Sequence, residues 1–264
     1  MSEERITKEK ILEKLAELEG KIGFYYKNLV NGETEYNADE GFRPASVVKF
    51  PMFAEICRRV HEGKVSMSDV IHVYDDEKIP GCGALRSFPG DMDVDLETLC
   101  KLMITISDNT ATNLLIRHFG AAGLTAGFRE MGLAISSVNR RFYDEELERQ
   151  GVQNVLTPRE MGLLLEEIYR DEFVDKKTSE YIKSVMLEQQ IDHKIEILPT
   201  DIRVAHKTGE EDNTTNEVAI VYSNVPYIFC FFSNEADVHK CNDFIRNATF
   251  ELMNGCDCDA RQDA

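Results

Sequence analysis

Residues 42–50, which read FRPASVVKF, decide how the rest of this chain is interpreted. A polar, irregular segment ends at Pro44, and residues 47–60 form an apolar run that is compatible with a helix. Ser46 therefore lies at a predicted helix N-terminus, where serine is a favoured capping residue. Because positions i and i+3 share one face of a helix, the amine of Lys49 is expected beside the Ser46 hydroxyl.

This Ser-x-x-Lys pair has two interpretations. A serine hydroxyl is a poor nucleophile until a base removes its proton, and a lysine whose pKa is lowered by burial and nearby positive charge can be that base. The N–H groups of a first helical turn would also point at an oxyanion formed there. Alternatively, Ser46 only caps a helix and Lys49 is a surface residue. The pattern is short enough to occur by chance, so the rest of the chain must decide.

Composition and charge limit the classes of protein and partner. The 264 residues are 42% apolar and 30% charged, as in a soluble globular protein with one large domain or two lobes. The formal net charge of −18 argues against a nucleic acid or an anionic membrane as a partner. The six histidines show no metal-ligand spacing, so the sequence predicts neither a metal nor another cofactor. The oligomeric state is left open.

The sequence also bears on the cellular compartment. No run is apolar and long enough to span a bilayer, and residues 1–20 lack the apolar core and cleavage site of a signal peptide. Seven cysteines, an odd number, indicate reduced thiols rather than a disulfide framework. We therefore expect a cytoplasmic protein, or a secreted one if a leader precedes this sequence.

The periodicity of apolar residues changes along the chain, from mixed helix and strand to mainly helical and then back to strand. We therefore predict an α/β protein of the α+β type, in which strands from both chain ends form one antiparallel sheet flanked by helices. A single domain covers residues 1–264, with a sheet lobe at 1–45 and 199–264 and an inserted all-helical lobe at 46–198. The predicted helices are at 11–18, 47–60, 96–106, 109–119, 124–131, 157–168, 181–190 and 237–253. The predicted strands are at 21–29, 33–37, 202–208, 217–223 and 227–232, with an Asn31-Gly32 turn between the first two strands.

Two further tripeptides contain polar residues of the kind that an acyl-transfer site requires beside its serine nucleophile. Ser107-Asp108-Asn109 lies between two helical runs, and Lys207-Thr208-Gly209 lies on the first late strand. Taken singly, the first is usually a helix cap and the second the end of a strand. Together with Ser46 and Lys49, in this order, they form the motif set of serine enzymes that react with β-lactams.

From about residue 21 to residue 253, the sequence resembles the superfamily of class A β-lactamases and penicillin-recognising serine enzymes. The resemblance extends beyond the three motifs to FRPAS at 42–46, ITISDNTATNLL at 104–115 and TTNEVA at 214–219. It implies a β-lactamase/transpeptidase-like fold and a serine hydrolase that acts on small β-lactam or peptide-like amides.

The resemblance also implies a role for each motif residue. Ser46 would be the acylated nucleophile, Lys49 its base or proton relay, and Ser107 the group that passes a proton to the leaving nitrogen. The implied substrate-binding residues are Asn109, which bonds the substrate amide; Thr208, which with Lys207 engages the substrate carboxylate; Gly209; and Glu210, whose N–H group forms the oxyanion hole with that of Ser46.

The loop before Thr157-Pro158 departs from the family pattern. Class A β-lactamases have a Glu-x-x-Leu-Asn sequence there, and its glutamate positions the water that releases the acyl group. Residues 139–151 lack this pattern, and Asp144 and Glu145 lie nearest the expected place. They are either a substitute deacylation base or solvated surface acids. The sequence therefore predicts a long-lived acyl-enzyme, with any residual turnover depending on Asp144 or Glu145.

Because the loop departs from the family pattern, three alternative functions stay open. The leading one is a serine hydrolase of the class A β-lactamase type with slow deacylation. A D-alanyl-D-alanine peptidase is the second, although a cytoplasmic location would separate it from its substrate. A non-catalytic penicillin-binding or sensor domain, which acylates or binds without turnover, is the third.

Overall fold

The computed structural model describes residues 3–30, 32–196 and 198–260, with side chains except at 3–7, 33 and 255–260. Helices and strands follow the predicted order, with a helical block between two groups of strands. The strands are β1 (Lys21–Asn28), β2 (Glu33–Tyr36), β3 (Val70–Val73), β4 (Met92–Asp95), β5 (Arg203–Glu211), β6 (Thr214–Tyr222) and β7 (Tyr227–Asn234). The α-helices are α1 (Glu3–Glu17), α2 (Lys49–His61), α3 (Leu96–Thr105), α4 (Asn109–Phe119), α5 (Ala121–Glu130), α6 (Glu145–Arg149), α7 (Pro158–Tyr169), α8 (Lys176–Met186) and α9 (Val238–Ala260).

The larger sheet is antiparallel and has the strand order β2-β1-β7-β6-β5. β1 pairs with β7 over its whole length, from Lys21 opposite Asn234 to Asn28 opposite Tyr227. Strands from both chain ends therefore share one sheet, which confirms the predicted fold class. β5, which carries the Lys207-Thr208-Gly209 motif, lies at one edge of this sheet.

Alternating side chains of the sheet contribute to two separate cores. On one face, Phe24 of β1 and Phe229 of β7 meet edge to face, with ring centroids 5.4 Å apart, in the core that includes Phe244 of α9. On the other face, Val218 and Ile220 of β6 belong to the core of the helical lobe. Each buried phenylalanine contributes roughly 1.5–3 kcal/mol of transfer free energy. Cores on both faces hold the edge strand firmly beside the helical lobe.

Helix α2 lies in the centre of the helical lobe and carries Lys49 at its first position. The Glu55 carboxylate of this helix is fully buried and accepts hydrogen bonds from Arg58 Nε at 2.7 Å and from Arg59 Nε at 2.6 Å. Arg59 also donates to the carbonyl oxygen of Gly123 in α5, at 2.7 Å. A buried carboxylate bonded this way is satisfied, and it fixes α2 against its neighbour.

The structure differs from the sequence-based expectation in its local details. Ser46 does not cap a helix: it lies inside a 3-10 turn, Ala45–Val48, whose preceding residue makes no side-chain capping bond. Strands β3 and β4 form a second, two-stranded sheet that was not predicted. The helix predicted at 181–190 is α8, which begins and ends earlier. The predicted turn includes Asn31, which lies outside the described residues.

Among the described residues, no helix combines the length and the apolar character needed to cross a lipid bilayer.

Candidate active site

The structure brings Ser46, Lys49, Ser107 and Asn109 to one point. Lys49 is fully buried, and its Nζ lies 2.9 Å from Ser46 Oγ and 2.9 Å from Ser107 Oγ. Nζ also lies 2.8 Å from the Ser107 carbonyl oxygen and 2.8 Å from Asn109 Oδ1. A neutral amine has two N–H donors and one lone pair. It can therefore hold the carbonyl and amide oxygens while it accepts a proton from either hydroxyl.

Electrostatics favour this neutral form of Lys49. Burial of the amine, followed by repulsion from the charge of Lys207, holds the pKa of Lys49 well below its usual range. A neutral lysine amine is a base of the kind that activates a serine nucleophile. The site can therefore deprotonate Ser46 without a histidine.

Ser107 connects the two buried lysines. Its Oγ lies 2.9 Å from Lys49 Nζ and 3.1 Å from Lys207 Nζ. Its backbone is in the left-handed region, with φ of 56°, which is unusual for a residue other than glycine. Strain of this kind persists where the surroundings fix the conformation. The hydroxyl completes a continuous chain of polar atoms from Ser46 through Lys49 to Lys207.

Asp108 fixes the second motif to a neighbouring loop. Its carboxylate caps α4 by accepting from the Ala111 N–H at 2.9 Å. It also accepts from the N–H groups of Ala84 at 2.7 Å and Leu85 at 2.9 Å. The N–H of Asn109 donates to the Cys82 carbonyl oxygen at 3.0 Å. The tripeptide is thus both a helix cap and the anchor of the loop at 80–85.

Gly209 lets the edge strand contact the 3-10 turn at Ala45–Val48. We call this segment the nucleophile turn, after the predicted role of Ser46. A β-carbon at Gly209 would lie 2.7 Å from the Ser46 backbone nitrogen and 2.9 Å from the Val47 nitrogen. Two asparagines of the sheet, Asn216 and Asn234, donate to the Arg43 carbonyl oxygen at 3.0 Å and 3.1 Å. Only glycine fits this approach, and the sheet thereby positions the segment that leads to Ser46.

Lys207, Thr208 and Glu210 stand on β5 around Gly209. Lys207 is fully buried, and its Nζ lies 2.7 Å from the Thr208 carbonyl oxygen as well as close to Ser107. Burial lowers the pKa of Lys207 to about 7. The Glu210 carboxylate accepts from Asn242 Nδ2 of α9 at 3.0 Å. The oxyanion and carboxylate-binding roles of these residues stay predictions.

Ser46 opens into a cavity of about 650 Å³ between the edge strand and the loop before α7. Asn109, Phe142 and Tyr143 are among its lining residues. The Phe142 ring centroid lies 4.8 Å from Lys49 Nζ, so an aromatic ring stands over the base. Tyr143 next to it has a left-handed backbone, with φ of 60°. This side of the cavity presents a phenyl ring to the lysine rather than a carboxylate.

The structure does not bring Asp144 and Glu145 to Ser46. Asp144 caps the short helix α6 by accepting from the Leu147 N–H at 3.1 Å. Both residues line a neighbouring cavity of about 520 Å³ on the other side of Phe142 and Tyr143. The acid of α6 that lines the Ser46 cavity is Glu148, whose Oε1 lies 3.2 Å from Arg140 Nη2. The role of Asp144 and Glu145 in deacylation stays a prediction.

Sequence reasoning missed three contributors to the site. Phe142 gave no signal, because one residue's direction in an irregular loop depends on tertiary contacts. Lys194 is buried, and its Nζ bonds the carbonyl oxygens of Gly209 at 3.1 Å and Asn216 at 3.2 Å. Glu217 was read only as part of a strand, yet it is a buried carboxylate. Within the described part of the chain, no cluster of three or more histidine, cysteine or acidic side chains could hold a metal ion.

Comparisons with known proteins agree with this geometry. Residues 6–254 match the model of a family described as the beta-lactamase enzyme family. A β-lactamase from Sphaerobacter thermophilus is 25% identical, covers 93% of this chain and 95% of its own, and gives a TM-score of 0.82. A β-lactamase from Chitinophaga pinensis is 23% identical over 95% and 99% of the two chains, with a TM-score of 0.85.

A second kind of protein is equally similar in structure. PBP-A is 25% identical over 96% of each chain, with a TM-score of 0.85. A variant of PBP-A, described as an acyl-enzyme complex with penicillin G, is 25% identical over 96% of this chain and 97% of its own, also with a TM-score of 0.85.

Proposed function

This chain belongs to the beta-lactamase enzyme family, and on that premise we propose a serine hydrolase that forms a long-lived acyl-enzyme with β-lactams through Ser46. The contact that carries the proposal is the one between Lys49 and its neighbours. Nζ lies within 2.9 Å of both the Ser46 and the Ser107 hydroxyl oxygens, whereas a phenyl ring covers it on the cavity side. The contacts needed for acylation are thus present, whereas a phenyl ring stands in place of the carboxylate that would activate water for release of the acyl group.

Acylation follows from the chain of contacts. Neutral Lys49 takes the proton of Ser46 Oγ, and the oxygen attacks the carbonyl carbon of the lactam. The tetrahedral oxyanion is stabilised by the N–H groups of Ser46 and Glu210. The proton then passes from Lys49 through Ser107 to the ring nitrogen as the C–N bond breaks. The product is an ester on Ser46, and Lys49 is neutral again.

Slow release follows from the loop. Hydrolysis of the ester requires a base that removes a proton from a water beside the carbonyl carbon. A phenyl ring cannot accept that proton, and Phe142 occupies the cavity side of Lys49. Asp144 and Glu145 line the other cavity. A general base contributes about 10²- to 10⁴-fold to a rate, so its loss leaves an ester that persists.

Intact-mass spectrometry tests the proposal. After incubation with penicillin G, we expect one adduct of the mass of the intact drug, absent from Ser46→Ala and present in the matched control Ser68→Ala, whose serine is exposed. The adduct should decay slowly after free drug is removed. An adduct that persists in Ser46→Ala would refute the nucleophile, and rapid release from the unchanged protein would refute the slow step.

A second candidate is a D-alanyl-D-alanine peptidase, whose acyl-enzyme would form on Ser46 through the same contacts of Lys49. Incubation with a peptide that ends in D-alanyl-D-alanine separates the candidates. Release of D-alanine faster than hydrolysis of penicillin G supports the peptidase. The cytoplasmic location stays a prediction, and it would favour a substrate inside the cell.

A further inference from the structure

We propose that Glu217 is a positioning residue that keeps the Lys207 amine charged from the opposite face of the edge strand. The inference rests on the proposed function, because it concerns how the same site holds an anionic substrate. Glu217 lies on β6 directly opposite Thr208 of β5, the residue after Lys207. It does not line any of the cavities described above, so it acts through the sheet rather than on the substrate.

Glu217 supplies a buried negative charge to a site that contains several buried lysines. Three lysines are buried here, namely Lys49, Lys194 and Lys207. The buried acids in the part of the chain that the structure describes are Glu55, Asp108 and Glu217. The first is neutralised by Arg58 and Arg59, and the second is bonded to three backbone N–H groups. A buried charge is costly unless an opposite charge compensates it. Lys194 has the partly exposed Glu210, whose Oε2 lies 3.6 Å from its Nζ, and Glu217 is the buried acid that remains to compensate Lys207.

The surroundings of Glu217 keep it ionised. Its Oε1 lies 2.8 Å from Nδ1 of His206, which is itself buried. Burial alone raises the pKa of Glu217, but the hydrogen bond and charge of His206 and the charge of Lys194 hold it below its usual value. The buried Cys230 of β7 and Lys207 of β5 are also acted on by this carboxylate. Glu217 is therefore a fixed negative charge in the sheet.

The charge of Lys207 depends on this carboxylate. The pKa of Lys207 is lowered to about 7: burial is the largest cause, the charge of Glu217 opposes it, and repulsion from Lys194 adds to the lowering. Lys49 of α2 and Cys82 of the loop at 80–85 also face it. Near neutral pH, the balance between Glu217 and Lys194 therefore decides how much of Lys207 is an ammonium ion. Only that form attracts a substrate carboxylate.

Two variants should move the pH profile in opposite directions. Glu217→Gln removes the carboxylate with little change of shape, and Lys194→Gln removes the competing ammonium. We would measure the second-order rate of acylation by penicillin G and by its uncharged methyl ester between pH 5.5 and 9. Thermal unfolding of each variant would be followed in parallel. The ester serves as the internal control, because it lacks the carboxylate that Lys207 attracts.

We expect the alkaline loss of penicillin G acylation to begin at lower pH in Glu217→Gln and at higher pH in Lys194→Gln. One unit of displacement makes penicillin G acylation about tenfold slower above the midpoint, since the charged fraction falls tenfold per pH unit. The pH profile for the methyl ester should keep its position in both variants, because the ester has no carboxylate for Lys207 to attract. Equal slowing of both compounds by Glu217→Gln with an unmoved pH profile would overturn the inference, because that is the signature of a structural defect. If Glu217→Gln does not fold, an unmoved or downward-shifted profile in Lys194→Gln overturns it instead.

The noncovalent affinity of Ser46→Ala for penicillin G, measured over the same pH range with and without Glu217→Gln, gives a readout that needs no acylation. If the unchanged protein forms no acyl-enzyme but the binding profile still shifts, the proposed function is refuted and this inference stands. If the unchanged protein is acylated but neither the binding profile nor the kinetic profile shifts, the proposed function stands and this inference is refuted.

Discussion

The two sides of the Ser46 cavity are built differently. On the acylation side, Lys49, Ser107 and Lys207 are buried, and the amine or hydroxyl group of each has a hydrogen-bond partner. On the loop side, Glu145 and Glu148 are exposed, and the aromatic ring of Phe142 lies with its centroid 4.8 Å from Lys49 Nζ. Buried polar groups hold one geometry, because leaving them unpaired is costly, whereas surface acids are free to face solvent. The buried side of the cavity is therefore held in one geometry, as the proposed acylation requires, whereas the loop side is under far less constraint.

The largest effect should follow removal of the base on the acylation side. In Lys49→Ala, Ser46 keeps its proton, so acylation by penicillin G should slow about 10²- to 10⁴-fold. Stopped-flow acylation measures it, and Lys101→Ala, in which an exposed lysine is removed, is the matched control. A rate in Lys49→Ala that equals that of the control would show that another group activates the serine.

The second largest effect on acylation should follow disruption of the contact between the edge strand and the nucleophile turn. Gly209→Ala places a methyl group 2.7 Å from the Ser46 nitrogen, and backbone on both sides leaves little room to adjust. A displacement of about 1 Å can cost about 100-fold in rate, so we expect acylation to fall by that order. Gly123→Ala on α5 is the control, since its nearest contact would lie 3.9 Å away. Unchanged acylation kinetics in Gly209→Ala would mean that the turn can move freely.

A smaller gain is expected on the loop side. Phe142→Glu puts a carboxylate near the position of the ring, so release of the acyl group should become faster by about tenfold or more, short of the full effect of a general base. Phe142→Gln opens the same space without a base and is the matched control. Steady-state hydrolysis after the acylation burst reports the release step. Equal acceleration in both variants would show that access of water, rather than a base, limits release.

The smallest effects should come from the acids of the same loop. Asp144→Asn and Glu145→Gln should leave residual turnover nearly unchanged, because both side chains line the neighbouring cavity. Asparagine is about as good a helix cap as aspartate, so α6 should also persist in the first variant. Glu148→Gln provides the comparison within the Ser46 cavity. A clear loss of turnover in either of the first two variants would support the assignment made from the sequence.

The fold was largely predictable because its signals are local and periodic. The predicted helix at 109–119 has the bounds of α4, since an aspartate cap, an apolar stripe and a following glycine all mark it. The pairing of β1 with β7 followed from alternation at both chain ends. The β3–β4 sheet was missed because each strand has four residues and long irregular chain separates them.

The site was predictable only as far as its motifs extend. Ser46, Lys49, Ser107 and Lys207 could be grouped because their tripeptides occur in a known order. The 3-10 turn around Ser46 was missed because it depends on contact with Gly209, more than 160 residues away along the chain. Lys194 gave no signal, since a lysine in a polar segment is ordinarily exposed. Its burial is a property of the assembled sheet.

The approach of the Ser46 turn to Gly209 has a consequence for solubility. An open strand at the edge of a sheet offers unpaired backbone groups to other molecules, and this is a common route to aggregation. β5 is nine residues long and lies at one edge of the sheet, but the nucleophile turn packs against it at Gly209. The opposite edge strand, β2, has only four residues, two of them glutamates. The segment that carries Ser46 therefore also covers the edge strand at Gly209, so we expect any change that loosens this turn to favour self-association as well as loss of chemistry.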